Sequence, residues 1–345
     1  RLSRIPAIME MPYNDIIRKF IDMYAGRLRN QVSFMLSACN FYMPIFEEAL
    51  DAYGLPLELS YLPIIESALN PSAVSRAGAS GLWQFIIGTG KIYGLESNSL
   101  VDERRDPIKA TWAAARYLKE MYDIYGDWNL VIAAYNCGPG TINKAIRRAN
   151  GETDYWKIYN YLPKETRGYV PAFIAANYVM TYYCDHNICP METNIPASTD
   201  TVQVNKNLHF EQIADLCNVP LDQIKSLNPQ YKKQMIPGDS KPYTLRLPID
   251  AISTFIDKQD TIYAHRADEL FRNRKTVAIK EITPSTRKTT TAVAGKGKLT
   301  YYTIKSGDTL STIAGKYGVT IKDIQRWNGM SNTKIAAGKR LKIYK

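Results

Sequence analysis

The apolar residues of the first 190 positions recur at helical spacing and predict a mainly α-helical region. After Asn14, a residue type that caps helices, apolar side chains follow at intervals of three and four residues. Residues 1–57 are interpreted as a brace for the helices that follow, with no chemistry of their own. The same spacing predicts further helices over residues 28–39, 44–53, 111–122, 129–135 and 172–183.

One carboxylic acid interrupts an otherwise apolar segment between residues 60 and 70. Leucine and isoleucine dominate this segment, and Glu66 lies within it. Burial disfavours the charged form of a carboxyl group and raises its pKa, and a carboxyl pKa of roughly 6 to 7 suits a general acid. Taken alone, the segment favours an amphipathic helix with Glu66 at its exposed edge. Glu66 is therefore a candidate catalytic acid whose assignment depends on the rest of the chain.

Beyond residue 200 the pattern changes to short strands and short helices. A βααβ arrangement is predicted over residues 200–248 and a second one over residues 300–345. In the second arrangement, Thr309 and Thr320 are placed to cap the two helices. Small modules therefore follow the helical region.

The two βααβ arrangements form an internal repeat. Displaced by 100 residues, residues 202–228 align with residues 302–328 without a gap, and their apolar positions coincide. The Gly-Asp-Thr turn at residues 307–309 is replaced by Asn-Leu-His at residues 207–209. The copies share a core and differ in one loop, which is typical of a copy with weakened ligand binding.

The net charge of +11 is concentrated at the C-terminal end. Residues 275–345 carry 15 Lys or Arg and 3 Asp or Glu, a net charge of +12, whereas residues 1–274 carry 29 and 30, a net charge of −1. After one more helix within residues 249–274, residues 275–299 offer little to bury and are predicted to be a flexible linker. A basic C-terminal region suits an anionic polymer, whether nucleic acid, membrane or bacterial wall.

Cysteine and histidine give no sign of a zinc site, and no metal or cofactor is expected. The five cysteines form no Cys-x-x-Cys pair, and the three histidines are scattered. Cys184 and Cys189 are close enough in sequence to be bridged in an oxidising compartment. No apolar run of about 18 residues predicts a membrane span. No signal peptide is visible after Arg1, so a targeting segment is expected to be missing from this sequence.

Four short motifs resemble, in order and spacing, those of the lytic transglycosylase family. Asp106-Pro107 and the alanine-rich run after it resemble a membrane-bound branch of that family, while Trp83 and Cys137 stand where the family more often has Met and Ala. The resemblance implies a goose-type-lysozyme-like helical catalytic domain over residues 58–190. The motifs are Glu-Ser at 66–67, Gly-Leu-Trp-Gln at 81–84, Ala-Tyr-Asn-Cys-Gly at 134–138 and Glu-Thr-Arg-Gly-Tyr-Val at 165–170.

The C-terminal module resembles a different family. Residues 302–310, with the sequence Tyr-Thr-Ile-Lys-Ser-Gly-Asp-Thr-Leu, are similar to the start of a LysM domain, which binds glycans containing N-acetylglucosamine. The similarity covers residues 300–345 and, more weakly, residues 200–248, which are interpreted as a degenerate LysM-like module. It implies glycan binding by Gly307, Asp308, Thr309 and Leu310.

The resemblance implies that a single acid cleaves the β-1,4 bond between MurNAc and GlcNAc in peptidoglycan. Glu66 would protonate the glycosidic oxygen. As a carboxylate it would then take the proton of the C6 hydroxyl that attacks C1, which leaves a 1,6-anhydroMurNAc end. Neighbouring residues would assist: Ser67 by orienting the N-acetyl group, Gln84 and Asn136 by hydrogen-bonding sugar, Tyr135 by holding Glu66, and Tyr169 by lining the cleft.

Other functions remain open at this point. Hydrolytic glycosidases usually need a second carboxylate, and Glu165, the candidate within a motif, is expected to pair with Arg167. The alternatives are a water-using muramidase or chitinase and a non-catalytic scaffold that binds the wall. The other carboxylate candidates, none of them in an apolar run like that of Glu66, are Glu58, Asp102, Glu103, Asp106 and Asp127.

The expected partners follow from the same resemblance. Peptidoglycan glycan strands are the expected substrate and partner of a monomeric enzyme. Nucleic acid is disfavoured because the βααβ module lacks a basic recognition helix with interleaved aromatic residues. The expected location is the periplasm or outer membrane of a Gram-negative bacterium, with attachment through an N-terminal lipid anchor outside this sequence.

Overall fold

The computed structural model describes residues 1–193, 195–196, 198–271, 299–305, 308–330, 333 and 335–344. These residues belong to two compact units, residues 1–282 and residues 283–345. The linker predicted over residues 275–299 lies, apart from Leu299, outside the described residues.

The first 193 residues are helical, as the sequence pattern predicts. The predicted cap is confirmed, because Asn14 Oδ1 accepts hydrogen bonds from the backbone N–H groups of Ile16 and Ile17, both at 3.0 Å. The helices are α1 (Asp15–Ala25), α2 (Arg29–Ala52), α3 (Leu62–Ser67), α4 (Ile87–Ile92), α5 (Pro107–Tyr125), α6 (Trp128–Cys137), α7 (Pro139–Arg148), α8 (Tyr155–Ile158) and α9 (Lys164–Thr181).

Helix α2 continues unbroken through Pro44, so the prediction of two separate helices is wrong. A proline inside a helix removes a backbone hydrogen bond and crowds the preceding turn, at a cost of about 3 kcal/mol. Tyr42 and Phe46 on either side of it are buried, and full burial of a large apolar side chain contributes roughly 1.5–3 kcal/mol. Packing of α2, largely against α5, therefore outweighs the local signal of the proline.

Helix α9 begins at Lys164, well before the predicted start at residue 172, and passes through Pro171. The motif at residues 165–170 therefore lies on a helix and not in a loop that leads into one. Helical spacing puts Thr166 and Tyr169 on the buried face of α9. Gly168 and Pro171 disfavour a helix locally, so the sequence pattern did not predict one here.

One hydrophobic core joins the N-terminal helices to the helices that follow. It contains Ile17 of α1, Phe46 of α2, Leu62 of α3 and Phe173 of α9. Helix α1 packs against α9, and α2 packs against α5. Residues 1–57 thus share the core that supports the carboxylate-bearing helix α3.

Residues 198–271 form a second core around two small antiparallel ladders. Strand β1 pairs with β4, from Thr199 opposite Pro248 to Val204 opposite Tyr243, and β2 pairs with β3, a ladder that the sequence did not predict. The elements are β1 (Thr199–Val204), β2 (Asn207–His209), α10 (Phe210–Cys217), α11 (Leu221–Leu227), β3 (Met235–Pro237), β4 (Tyr243–Pro248), α12 (Ile249–Asp257), α13 (Gln259–Ala264) and α14 (Ala267–Leu270).

Helices α12, α13 and α14 differ from the predicted secondary structure. The sequence predicted one helix within residues 249–274, whereas the structure has three short ones. The chain bends at Lys258 and again at His265, and these bends allow Phe255 and Ile262 both to reach the second core. Burial of both side chains decides the path of the chain here.

Two residues from the loop before α5 complete the second core. Leu100 and Val101 are buried with the apolar residues of the 198–271 region. Val101 also forms a β-bridge with Tyr231. Residues 198–271 are therefore built onto the helical region.

The described residues of the C-terminal unit form the predicted βααβ arrangement. Strand β5 (Leu299–Thr303) pairs with β6 (Arg340–Tyr344), and helices α15 (Leu310–Tyr317) and α16 (Ile321–Asn328) lie between them in the chain. Thr309 and Thr320 cap the helices, because each hydroxyl accepts a hydrogen bond at 3.1 Å from the backbone N–H three residues later. Both predicted caps are confirmed.

Equivalent asparagines confirm the internal repeat. Asn228 Nδ2 donates to the carbonyl oxygen of Arg246 at 2.8 Å, and its Oδ1 accepts from the backbone N–H of the same residue at 2.8 Å. Asn328 makes the same pair of bonds with Lys342, at 2.8 and 2.7 Å. In each copy the asparagine fastens the second helix to the last strand.

The structure also bears on the predicted disulfide and on membrane-spanning helices. The five cysteines are free thiols, and Cys184 and Cys189 are both exposed and unbridged. Among the helices that the structure describes, none combines the length and the apolar character of a membrane-spanning helix.

Candidate active site

Glu66 lies in the last turn of the short helix α3. Proline at its start and buried Leu62 and Ile64 fix this helix in the core. The chain then turns sharply, because Ala68 and Leu69 both adopt left-handed conformations, with φ of 52° and 59°. Such residues each cost roughly 1–2 kcal/mol, and burial of Leu69 helps to hold the turn. Glu66 is consequently half-buried at the edge of a cleft.

The environment of Glu66 favours its protonated form. Burial of the carboxyl, opposed by a hydrogen bond from Tyr169 and assisted by the negative charge of Glu165, raises its pKa to about 7. The Tyr169 hydroxyl donates that bond to Glu66 Oε1. A carboxyl with this pKa is divided between its acid and base forms near neutral pH, as a group that alternates between the two roles requires.

Tyr135 has a different partner from the one expected. Its hydroxyl donates to the carbonyl oxygen of Trp83 at 2.7 Å, so Tyr169, and not Tyr135, makes the hydrogen bond to Glu66. Burial raises the pKa of Tyr135 well above its ordinary value, and the nearby charge of Glu66 adds to this effect. Tyr135 is therefore a neighbour of the acid that positions the Trp83 loop.

Gln84 lies at the cleft in a strained backbone conformation, with φ of 48°. Its Nε2 donates to the carbonyl oxygen of Gly81 at 2.8 Å and to that of Ala73 at 3.3 Å. Gln84, Glu66 and Ser67 line one cavity of about 370 Å³. The structure thus brings these three predicted residues together.

Ser67 and Asn136 use polar atoms to join parts of the site. Ser67 Oγ lies 3.0 Å from the carbonyl oxygens of both Pro63 and Leu82, which links α3 to the loop that carries Gln84. Asn136 Oδ1 accepts a hydrogen bond from the buried hydroxyl of Thr166 at 2.9 Å, which links α6 to α9. The sequence interpretation missed Thr166, although it lies within the fourth motif.

The N-terminal helices supply a wall of the cleft, which the sequence interpretation also missed. Side chains of α1 and α2, together with Leu28 between them, line the cavity around Glu66: Tyr24, Leu28, Gln31 and Met35. Residues 1–57 therefore line the cleft as well as sharing the core, and the expectation that they have no chemistry of their own stays a prediction. Tyr24 and Met35 are buried like ordinary core residues, so no local signal distinguished the cleft wall from the brace.

Most of the other carboxylate candidates hold the fold together. Asp106 and Asp127 cap α5 and α6, and Glu58 accepts hydrogen bonds from backbone N–H groups of the N-terminal segment. Asp102 and Glu103 each form an ion pair with a basic side chain. These five side chains are engaged outside the chemistry of the cleft.

Glu165 remains close enough to Glu66 to raise its pKa. It is exposed in the first turn of α9. The pairing predicted with Arg167 does not form: Arg167 Nε donates to the Leu162 carbonyl oxygen at 2.9 Å, and its guanidinium lies over the ring of Tyr159. Glu165 is thus the carboxylate to test as a rival to Glu66.

In the C-terminal module, the described candidate residues have structural partners. Asp308 Oδ2 accepts hydrogen bonds from the Tyr302 hydroxyl and the Lys305 backbone N–H, both at 2.8 Å. Thr309 caps α15, and Leu310 is buried in the module core. Gly307 lies outside the described residues. Contact between these residues and a glycan stays a prediction.

The described residues contain no group of three or more His, Cys, Asp or Glu side chains that could hold a metal ion.

Family models match three parts of this chain. The Transglycosylase SLT domain matches residues 43–158, the LysM-like domain of the lytic transglycosylase MltD matches residues 198–264, and the LysM domain matches residues 302–343. Fold and site thus define a lytic transglycosylase that carries LysM-type modules. The predicted fold class is confirmed.

Similarity to individual proteins shows to which family of lytic transglycosylases the chain belongs. The membrane-bound lytic murein transglycosylase D of Escherichia coli (strain K12) is 32% identical over 341 residues, which cover 97% of this chain and 70% of the relative. The chain therefore belongs to the membrane-bound lytic murein transglycosylase D family, as the motifs predict.

More distant relatives match shorter segments. The soluble lytic murein transglycosylase of the same strain is 32% identical over 124 residues, 34% of this chain and 19% of the relative. The solved 70 kDa soluble lytic transglycosylase from Escherichia coli matches 41% of this chain and 24% of its own, with 29% identity and a TM-score of 0.36.

Proposed function

We propose that Glu66 acts first as the acid and then as the base in lytic cleavage of peptidoglycan glycan strands. The environment of the Glu66 carboxyl group is the main support for this proposal. The carboxyl group is half-buried at a cleft and accepts a hydrogen bond from the Tyr169 hydroxyl, and its pKa is raised to about 7. Five of the six other candidate carboxylates are engaged in caps, backbone hydrogen bonds or ion pairs.

The chemistry needs no water and no second carboxylate. Protonated Glu66 gives its proton to the oxygen between MurNAc and GlcNAc as the bond from C1 to that oxygen breaks. The Glu66 carboxylate then removes the proton of the C6 hydroxyl of the same MurNAc as that oxygen bonds to C1. The products are a GlcNAc hydroxyl and a 1,6-anhydroMurNAc end, and Glu66 recovers its proton.

The Glu66→Gln variant tests the acid directly. Loss of general acid and base catalysis should lower the rate of muropeptide release from purified sacculi about 10²–10⁴-fold, because glutamine cannot exchange a proton at this pH. Glu165→Gln is the matched control and should retain most of the activity. Full activity in Glu66→Gln, with near-complete loss in Glu165→Gln, would contradict the assignment.

A water-using muramidase is the second candidate, because Glu165 is an exposed carboxylate close to Glu66. Mass spectrometry of the digestion products separates the two reactions. Lytic cleavage yields anhydro ends, whereas hydrolysis yields reducing ends that contain the elements of one more water molecule. Reducing ends as the main product would overturn the lytic mechanism for this chain.

We further propose that the C-terminal module holds the enzyme on glycan strands. Binding to sugar should persist at high salt, whereas adhesion of a basic region to an anionic wall should fade as charges are screened. The measurement is binding of the full chain to purified sacculi across a salt titration, with GlcNAc oligomers as competitor. Binding that disappears at high salt and ignores the oligomers would reject glycan recognition.

The cellular setting is proposed from family membership. Similarity to the membrane-bound lytic murein transglycosylase D of Escherichia coli supports a location in the envelope of a Gram-negative bacterium, in the periplasm or at the outer membrane. Attachment through an N-terminal lipid anchor and a monomeric state are part of this proposal. Fractionation of cells that express the full-length gene product, followed by mass analysis of its N-terminus, tests the anchor.

A further inference from the structure

The loop before α5 is shared between the 198–271 region and the helical region. The backbone N–H of Asp102 donates to the Gln230 carbonyl oxygen at 2.9 Å, and the N–H of Lys232 donates to the Leu100 carbonyl oxygen at 2.8 Å. With Leu100 buried in the second core, this loop has little freedom to move independently of residues 198–271.

A buried charge cluster lies at the same place. Arg104 Nε and Nη2 donate to the two carboxylate oxygens of Asp102, both at 2.8 Å, and both side chains are almost fully buried. Lys232 contributes a second cation, with its Nζ 3.7 Å from Asp102 Oδ2 and 2.7 Å from the Asn98 carbonyl oxygen. A cation from the 198–271 region thus lies within ion-pair distance of the carboxylate that orients Arg104.

The remaining guanidinium nitrogen of Arg104 holds the loop that contains Gln84. Nη1 donates to the Gly78 carbonyl oxygen at 2.8 Å and to the Phe85 carbonyl oxygen at 2.9 Å, which are the two ends of that loop. Between them, a Cβ atom on Gly81 would lie 1.7 Å from the Arg104 carbonyl oxygen, so the backbones meet at a position that only glycine can occupy.

The loop in turn contacts the surroundings of Glu66 at consecutive residues. The Leu82 carbonyl oxygen lies 3.0 Å from Ser67 Oγ, the Trp83 carbonyl oxygen accepts from Tyr135, and Gln84 lines the cavity of Glu66. A change in the placement of Arg104 would therefore alter the wall that faces the acid.

We propose that the 198–271 region positions the active site, through Lys232, Asp102 and Arg104. Lys232 is a positioning residue: it contacts neither substrate nor Glu66, and it acts through the clamp that Arg104 places on residues 78–85. The proposal rests on the function assigned above to Glu66. It gives the first LysM-type copy a role in turnover that is separate from any affinity for glycan.

The test compares variants of the full chain in steady-state cleavage of soluble glycan strands prepared from sacculi. Lys232→Met removes the cation but keeps an unbranched side chain, Lys232→Gln keeps a donor for the Asn98 carbonyl oxygen without the charge, and Lys232→Arg restores the charge. Lys241→Met is the matched control, because Lys241 pairs with Glu96 between the same two regions and not with Asp102.

The expected result separates kcat from KM. A small displacement of catalytic groups costs up to about 100-fold in rate, so Lys232→Met and Lys232→Gln should lower kcat about 5- to 50-fold and change KM less than about twofold. Lys232→Arg should recover most of kcat, and Lys241→Met should stay within about twofold of the wild-type kcat. Rates are referred to the folded fraction, measured by circular dichroism.

Three results would overturn the proposal. One is wild-type kcat in Lys232→Gln, a second is an equal loss in Lys241→Met, and a third is loss of folded protein without a change in kcat per folded molecule. Glu66→Gln is assayed in parallel. Retained activity there would overturn the assignment of Glu66, whereas an inactive Glu66→Gln beside a fully active Lys232→Gln would reject the positioning role alone.

Discussion

Two carboxylates withdrawn from water, Glu66 and Asp102, have opposite electrostatic states. Glu66 is bonded by a phenol, and burial raises its pKa to about 7. Burial alone would also raise the pKa of Asp102, but Arg104, followed by Lys232, holds it below its ordinary value. The partners of a carboxyl group therefore decide whether its burial produces a proton donor or a permanent charge.

The largest expected effect is on the free energy of unfolding, which should respond differently to substitution of the two carboxylates. Asp102→Ala should lower the free energy of unfolding by about 3–5 kcal/mol, because Arg104 is left buried without its counter-charge. Glu66→Gln should lower it by less than about 1 kcal/mol. Urea unfolding at pH 7 measures both. A loss of less than about 1 kcal/mol in Asp102→Ala would show that the ion pair is not needed at this site.

The next effect is the pH dependence of stability, which should have opposite sign at the two sites. The pKa of Glu66 is raised from 4.5 to about 7 on folding, so its contribution is complete below about pH 4.5 and is lost as the pH rises through about 7. Asp102, whose pKa is lowered from 3.8, contributes above its ordinary pKa and loses this contribution as the pH falls.

Unfolding measured at two pH values isolates the contribution of Glu66. Between pH 5 and pH 8, wild type should lose roughly 2–3 kcal/mol relative to Glu66→Gln, at 1.36 kcal/mol per pKa unit. Asp102 stays ionised over this range and cancels in the difference. Parallel pH dependence in the two proteins would show that the pKa of Glu66 is not raised by folding.

The smallest expected effect concerns the phenol beside the acid. The hydrogen bond from Tyr169 lowers the pKa of Glu66, so Tyr169→Phe should shift the alkaline limb of the activity profile upward by about one pH unit, since a bond to a charged group contributes roughly 1.5 kcal/mol. Tyr135→Phe, which loses the bond to Trp83, should leave this limb in place. The measurement is kcat/KM from pH 5 to pH 9, and a downward shift would contradict the geometry.

The sequence predicted local features of the fold better than distant ones. Thr309 and Thr320 gave the helix starts of the C-terminal module, because a capping hydroxyl acts within three residues of itself. The β2–β3 ladder joins segments more than 20 residues apart, and no local pattern revealed it. The continuity of α2 through Pro44 depends on packing, which residue spacing does not show.

In the candidate site, too, local features were predictable from the sequence and contacts between distant segments were not. Glu66 was recognisable because its carboxylate stands in an apolar segment and begins the first of four motifs that resemble one family. Tyr135 and Tyr169 both offer a phenol in a motif, and only the packing of α6 and α9 decides which of them bonds the acid. The pairing of Asp102 with Lys232 joins residues 130 positions apart, so no local sequence pattern could predict it.

The burial of Leu100 and Val101 in the second core has a consequence for how the chain folds. Because part of that core precedes α5 in the sequence, residues 198–271 cannot complete it until the earlier segment is in place. During synthesis that segment emerges first and can serve as a template for the later strands and helices. Residues 1–271 should then unfold in one cooperative transition. A fragment that begins at residue 198 should lack part of its own hydrophobic core.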